Sequence, residues 1–251
     1  MSGNKVVLVT GASGHLGAQI ARMSAEAGWV VAAHYRSSAQ AAEQLVTEIT
    51  SRGGSAHAFG ADLGSDAAPA RALIEAVTAH FGRLDALVNN SADQSPAPLS
   101  ELADNQWQDM LAATFLSAAN LTRAAAEVMA SGAAVVNITS VEASSAFPNH
   151  AHYAAAKAAL ESFTRSLALD FGPRGMRANA VAPGLIDRDG LADAWPQGLA
   201  WWQASSPTGR PVSAREVAEA VVFLMGEQGS GINGVVLPVD GGWSASARAP
   251  F

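Results

Sequence analysis

The feature that most restricts this chain is an alternation. Short apolar runs rich in β-branched residues alternate with alanine-rich stretches of helical length. The first run, KVVLVT at 5–10, is apolar at successive positions, as expected of a strand buried on both faces. The same reading predicts strands at 29–34, 56–60, 86–89, 134–139, 177–182 and 235–239. It predicts helices at 18–27, 39–52, 67–81, 106–130, 152–171 and 214–226, with Gly28 and Gly53 as stops. Strands and helices in this order form right-handed βαβ units. The expected fold class is therefore α/β: one doubly wound, mostly parallel sheet with helices on both faces. A single domain over 1–251 suits the length, since domains run to ~150 residues and larger α/β units are common.

One interval breaks the alternation. Between Pro183 and Pro211 stand Gly184, Gly190, Pro196, Gly198, Pro207 and Gly209. A stretch this long without elements reads as a lid or as a disordered segment. Trp195, Trp201 and Trp202 favour a substrate lid at about 184–211, against a reading as ordinary local packing.

Composition removes several function classes. With 15 basic and 22 acidic side chains the formal charge is −7, and the basic residues form no cluster, so no nucleic-acid partner is expected. Zero cysteines exclude disulfides, Cys-ligated zinc and a thiol nucleophile, and no metal site is expected. No apolar run approaches the roughly 18 residues of a membrane span, and the first residues lack the apolar region of a signal peptide. A soluble, cytoplasmic protein with no membrane partner is the expectation.

The turn TGASGHLG at 10–17 lies between the first strand and the first helix. Residues without Cβ permit a tight turn, and the helix N-terminus then presents free N–H groups to a pyrophosphate. Gly11, Ser13, His15, Leu16 and Gly17 are the candidates for this contact in a Rossmann-type dinucleotide site. The end of the second strand selects the dinucleotide. A site for NAD places a carboxylate there for the ribose 2′-OH, but this chain has Tyr35, Arg36 and Ser37, and its next acid is Glu43. A guanidinium fork and a hydroxyl suit a 2′-phosphate, so NADP(H) is predicted over NAD(H).

Tyr153 and Lys157 are four residues apart in a helical stretch and share a face. An ammonium about 5 Å from a phenol lowers its pKa by about two units, enough to make it a proton donor and acceptor near neutrality. Ser140 ends the predicted strand VVNITS, at the strand edge where open α/β sheets bind ligands, and can hydrogen-bond a substrate oxygen.

Together these marks resemble the short-chain dehydrogenase/reductase family, in its single-domain branch. The resemblance covers nearly the whole chain: Thr10-Gly11 with Gly17, Asp62, Asn89-Asn90-Ser91-Ala92, Ser140, Tyr153/Lys157, Pro183-Gly184 and Val239-Asp240-Gly241-Gly242. It implies an oxidoreductase that moves hydride between nicotinamide and a carbonyl or alcohol substrate. Tyr153 is then the general acid/base, Lys157 binds the nicotinamide ribose, and Ser140 orients the substrate. Asp62, with Leu63 beside it, lies by the adenine. Asn90, with Ser91 and Ala92, lies by the adenosine-side ribose and the sheet. Gly184, with Pro183 and Ile186, lies by the nicotinamide. A homotetramer or homodimer is also implied.

Three positions depart from the family pattern. His15 replaces the middle glycine of the turn; pteridine reductases of the family carry arginine there, so His15 either contacts a cofactor phosphate or faces solvent. The segment HYRSSAQAA resembles theirs too, which keeps pterin or imine (C=N) reduction as an alternative, although those enzymes carry aspartate where Ser140 stands. Thr114 occupies the position of the family's proton-relay asparagine. Arg188 stands where a threonine often contacts nicotinamide or phosphates; it binds a phosphate, binds an acidic substrate group, or faces water. A catalytically weak NADP(H)-binding sensor is the remaining alternative.

Overall fold

The computed structural model describes residues 4–246, so the reading of residues 1–3 lies outside it. Seven strands form a single sheet: β1 (Val6–Val9), β2 (Val30–Tyr35), β3 (Ser55–Gly60), β4 (Ala86–Asn89), β5 (Ala134–Ile138), β6 (Arg177–Pro183) and β7 (Val236–Val239). The order is β3-β2-β1-β4-β5-β6-β7 and every pairing is parallel. All seven lie within two residues of the expected positions. Alternate residues of each strand enter opposite cores, which explains the unbroken apolar runs. Val7 and Val9 pack on one face with Ile20, Ala21, Leu45, Val217 and Val221. Val6 and Leu8 pack on the other with Leu73, Val77, Leu121, Leu167 and Phe171.

One face is filled by α1 (His15–Glu26), α2 (Ala39–Ser51) and α9 (Ala214–Met225), the other by α3 (Ala67–Phe81), α5 (Ser117–Val128) and α6 (Ala151–Phe171); α4 (Asp104–Leu111), α7 (Leu191–Ala194) and α8 (Pro196–Ser205) stand outside these two cores. Among the described residues, none is long and apolar enough to cross a membrane. Local chemistry fixes several ends. Asp66 caps α3 by accepting a hydrogen bond from Ala68 N at 3.0 Å. Ser213 and Glu216 form a reciprocal box at the start of α9. At its other end, where intrahelical donors run out, the Arg177 guanidinium donates to the carbonyls of Leu224, Met225 and Gly226.

Two expectations are corrected. The single helix expected over 106–130 is two helices, separated by a π-helical turn over Ala112–Leu116. The extra residue in such a turn re-aims the side chains it carries, Thr114 among them. The segment 183–211 is neither structureless nor disordered: it holds α7 and α8. Pro196 starts α8, where its missing N–H and fixed φ cost nothing, and Gly198 leaves room for the Trp195 ring. Only Trp202 of the three tryptophans is buried; Trp195 and Trp201 are 44% and 45% exposed.

The strand order reverses at β1, which pairs with β2 on one side and β4 on the other. Loops leaving β1 and β4 diverge there and open a crevice at the C-terminal edge of the sheet.

Candidate active site

The crevice floor is a hydrogen-bonded knot. The Thr10 hydroxyl accepts from Asn90 N and Ser91 N at 2.8 and 2.9 Å, and Asn90 Nδ2 donates to Thr10 O at 2.9 Å. Gly11 turns at φ +63°, where a side chain is strained, and a Cβ on Gly17 would run into Gly11 O and Asn90 Nδ2. Helix α1 starts at His15, and no side chain caps it. Its first-turn N–H groups are left to the crevice, which suits a phosphate.

A buried histidine joins this turn to the neighbouring strands. Gly11 N donates to His34 Nδ1 at 3.2 Å, and His34 Nε2 lies 3.0 Å from Ala61 O. Both bonds are satisfied by the neutral ring protonated at Nε2. Burial lowers the His34 pKa, against the opposing pull of Ala61 O and Asp62. The unfolded chain thus binds this proton more tightly. The stability contribution is present above the ordinary imidazole value of about 6.5 and is lost as pH falls below it. Urea midpoints should therefore drop between pH 7 and pH 5 by more in the parent than in His34→Gln, which cannot titrate; equal drops would remove His34 from the acid response.

Other expected cofactor residues take distinct places. Arg36, Ser37, Asp62 and Ala92 are exposed around the crevice. The Tyr35 ring lies across Gly60, whose Cβ would meet it at 2.9 Å. The Leu63 side chain is committed to the core, leaving only its backbone for a ligand. His15 Nε2 lies 3.0 Å from Asp187 O, so His15 tethers the glycine turn to the segment after β6. Arg188 is exposed in that segment. Ile186 is half-buried and pairs with Val212 through an isolated bridge. Pro183 is buried at the end of β6, and Gly184 N donates to Val239 O at 2.9 Å. A Cβ on Gly184 would meet Trp202 Cη2 at 2.6 Å and Asp240 Cβ at 2.9 Å, so the missing side chain seats the indole.

Ser140, Tyr153 and Lys157 converge. Ser140 follows β5, while Tyr153 and Lys157 share the inner face of α6; they are 8%, 4% and 2% exposed, which places all three out of bulk solvent. Ser140 hydrogen-bonds the phenol. Gln94, from the loop after β4, donates to the Tyr153 hydroxyl at 3.3 Å. Lys157 Nζ lies 5.6 Å from the Tyr153 ring centre and donates to Ile138 O at 2.7 Å. Thr114 is brought close but not joined. Its hydroxyl lies 3.4 Å from Asp93 N and 3.5 Å from Met110 Sδ.

The charge balance differs from the expectation drawn from spacing. Burial, then the Glu142 carboxylate, raise Tyr153 above the ordinary tyrosine value, outweighing hydrogen bonds from Ser140 and Gln94. Burial pushes Lys157 down to about 7, opposed by Glu142. Desolvation overrides proximity because both groups are enclosed.

Gln94, Glu142 and His150 were not identified as site residues by spacing. Glu142 Oε2 lies 2.8 Å from His150 Nδ1, and the His150 ring centre lies 5.8 Å from that of Tyr153. The loop between them turns at Asn149, with φ +64°. Beside it, Trp202 stacks on Trp243 with ring centres 5.3 Å apart, and both pack with Val141 and Phe147. Among the described residues, no group of three or more histidines or carboxylates could hold a metal ion.

Comparisons with known proteins agree with this architecture. Residues 11–244 match the family model described as Enoyl-(Acyl carrier protein) reductase. The D-threitol dehydrogenase of Mycolicibacterium smegmatis is 36% identical over 244 residues, covering 96% of this chain and 93% of that protein. A short-chain dehydrogenase/reductase from Serratia marcescens superposes with a TM-score of 0.90 at 35% identity, covering 96% of this chain and 98% of the other. A short-chain dehydrogenase from Burkholderia cenocepacia in complex with NADP gives 0.88 at 34% identity, with the same coverage. The chain is an oxidoreductase belonging to the short-chain dehydrogenase/reductase family.

Proposed function

We propose that this protein is an NADPH-dependent carbonyl reductase, with the reverse alcohol oxidation available, acting through Ser140, Tyr153 and Lys157. The observation that carries this reading is the convergence of those three enclosed side chains at the C-terminal end of β5, two strands along the same sheet edge from the β1 turn.

The residues present fit the dinucleotide. The turn around Gly11 and Gly17 excludes side chains where backbone must approach, and the first turn of α1 offers N–H donors. Arg36 and Ser37 form a donor set for a 2′-phosphate, a group held by the cofactor of the Burkholderia relative. Lys157 and Tyr153 stand at the nicotinamide end. NADPH when bound supplies hydride to the carbonyl carbon.

The protein's own part is a proton and its placement. Ser140 donates a hydrogen bond to the carbonyl oxygen and fixes it against the Tyr153 hydroxyl. As the C=O π bond breaks, a C–H bond forms at carbon and negative charge gathers on oxygen. The Tyr153 O–H bond then breaks, its proton forms the alcohol O–H, and the phenolate is left to be reprotonated. Raised by burial, Tyr153 is fully protonated near neutral pH, the form that a reductase needs. The Lys157 ammonium is the charge that stabilises the phenolate as it forms.

The test is NADPH consumption across a panel of ketones, aldehydes and dihydropterins, with NADH in parallel. Simple carbonyls should be consumed faster than dihydropterins. Arg36→Ala should raise the KM for NADPH by roughly 10–100-fold, the value of a lost charge-assisted hydrogen bond, and leave that for NADH unchanged. Equal losses with both cofactors would show that Arg36 does not read the 2′-phosphate. NADPH bound but never consumed would overturn the reductase reading.

A further inference from the structure

We propose that Glu142, clasped by His150, is the positioning residue that keeps protons on Tyr153 and Lys157, so that the site gives a proton to a carbonyl more readily than it takes one from an alcohol. The inference rests on the role proposed above for Tyr153.

The geometry begins at the backbone. Glu142 lies two residues after Ser140, and Glu142 N donates to Ser140 Oγ at 3.1 Å. That bond occupies a lone pair of the serine and leaves its hydroxyl proton free to donate. The Glu142 side chain then turns to His150, which lies three residues before Tyr153 and accepts at its carbonyl from Ala154 N at 2.8 Å, holding the start of α6. The chain reaches this position only because Asn149 adopts the left-handed conformation, which asparagine tolerates better than most residues. Asn149 O is in turn held by Ala97 N at 2.8 Å. Backbone strain beside a reacting group is maintained only where the surroundings fix it.

The result is a half-buried carboxylate held against the ring of His150, which itself lies 5.8 Å from that of Tyr153; the Glu142 side chain is 16% exposed and that of His150 25%. Burying a carboxylate is costly without partners. Burial raises the Glu142 pKa, and His150 and then Lys157 oppose the rise. Its charge acts on both neighbours in the same sense: it disfavours the Tyr153 phenolate and favours the Lys157 ammonium. The other charged or titratable groups facing Tyr153 are few among the described residues. Lys157 belongs to its own helix, and His150 is the residue that precedes that helix. From the loop after β4 come Gln94, which is uncharged, and Asp93, whose carboxylate is engaged by Ser95 and attracted by His152. A negative charge cannot alter the overall equilibrium of the reaction. It sets the pH at which each direction runs, because reduction needs the phenol and oxidation the phenolate.

The chain has two tyrosines, which makes the proton on Tyr153 directly observable. In a Tyr35→Phe background, the tyrosinate absorbance reports Tyr153 alone, with no substrate or cofactor present. Adding Glu142→Gln should bring that ionisation about one pH unit lower, while circular dichroism shows the chain still folded. Glu142→Asp keeps the charge and should restore the background titration. His150→Asn breaks the clasp but leaves the carboxylate, so the phenol should ionise no lower than in the background. Superimposed titrations for Glu142→Gln and the background would overturn the proposal. So would equal shifts for Glu142→Gln and His150→Asn, which would make the pair a structural clasp only. The role of Tyr153 in turnover is tested separately by Tyr153→Phe, so failure of one reading does not hide failure of the other.

Discussion

Tyr153→Phe is expected to lose roughly 10²–10⁴-fold in turnover while binding NADPH as the parent does, the range removed with a general acid. The substitution deletes one oxygen. The ring stays packed with Met110 and Ala156, so the fold has no reason to change. Gln94 loses its acceptor but is exposed, so water can replace the phenol oxygen. The loss should therefore fall on kcat and leave the KM for NADPH near its parent value, since only the transition state uses the missing proton. Turnover within tenfold of the parent would reject Tyr153 as the acid.

Gly17→Ala is the second large effect, and it acts on architecture. A Cβ there would run into Gly11 O, with Asn90 Nδ2 at 2.7 Å, and neither can withdraw: one is backbone and the other is bonded to Thr10 O. Relief requires α1 to move off the sheet. The expected cost is about 3 kcal/mol, the upper part of the usual range for overpacking. For a domain of this size that lowers Tm by roughly 6–12 °C. Affinity for NADPH should fall with it, because the displaced helix carries the phosphate-facing N–H groups. Gly14→Ala is the control: its Cβ would meet Gly11 O at an ordinary 3.4 Å and should be nearly neutral. Equal stability of the two variants would show that the turn yields more easily than its packing implies.

Much of this was legible in the sequence, for identifiable reasons. The parallel sheet could be read because strands buried on both faces leave unbroken apolar runs such as KVVLVT. Tyr153 and Lys157 could be paired because helical spacing fixes which residues share a face. Helix α8 is hidden in the sequence because Pro196 and Gly198 read as breakers, whereas the proline occupies the position that opens a helix. Glu142 and His150 could not be paired from spacing, because seven residues intervene, with a left-handed turn at Asn149 among them. The effect of burial on Tyr153 is hidden for a related reason. Spacing reports proximity to Lys157, but burial depends on everything packed around both groups.

The stack of Trp202 on Trp243 sets a limit on how this enzyme can diversify. Trp202 fills the space left by Gly184 and packs with Val141, the neighbour of Ser140, so one buried indole ties the segment after β6 to the backbone beside the serine. Trimming it to admit a bulkier substrate would open a cavity, and removal of a buried aromatic commonly costs about 3–5 kcal/mol. A substitution at this position is therefore felt by the fold before it is felt by any substrate. Variants of broader scope should arise more readily at exposed Trp201 or Trp195, or after stabilising changes elsewhere have supplied the margin.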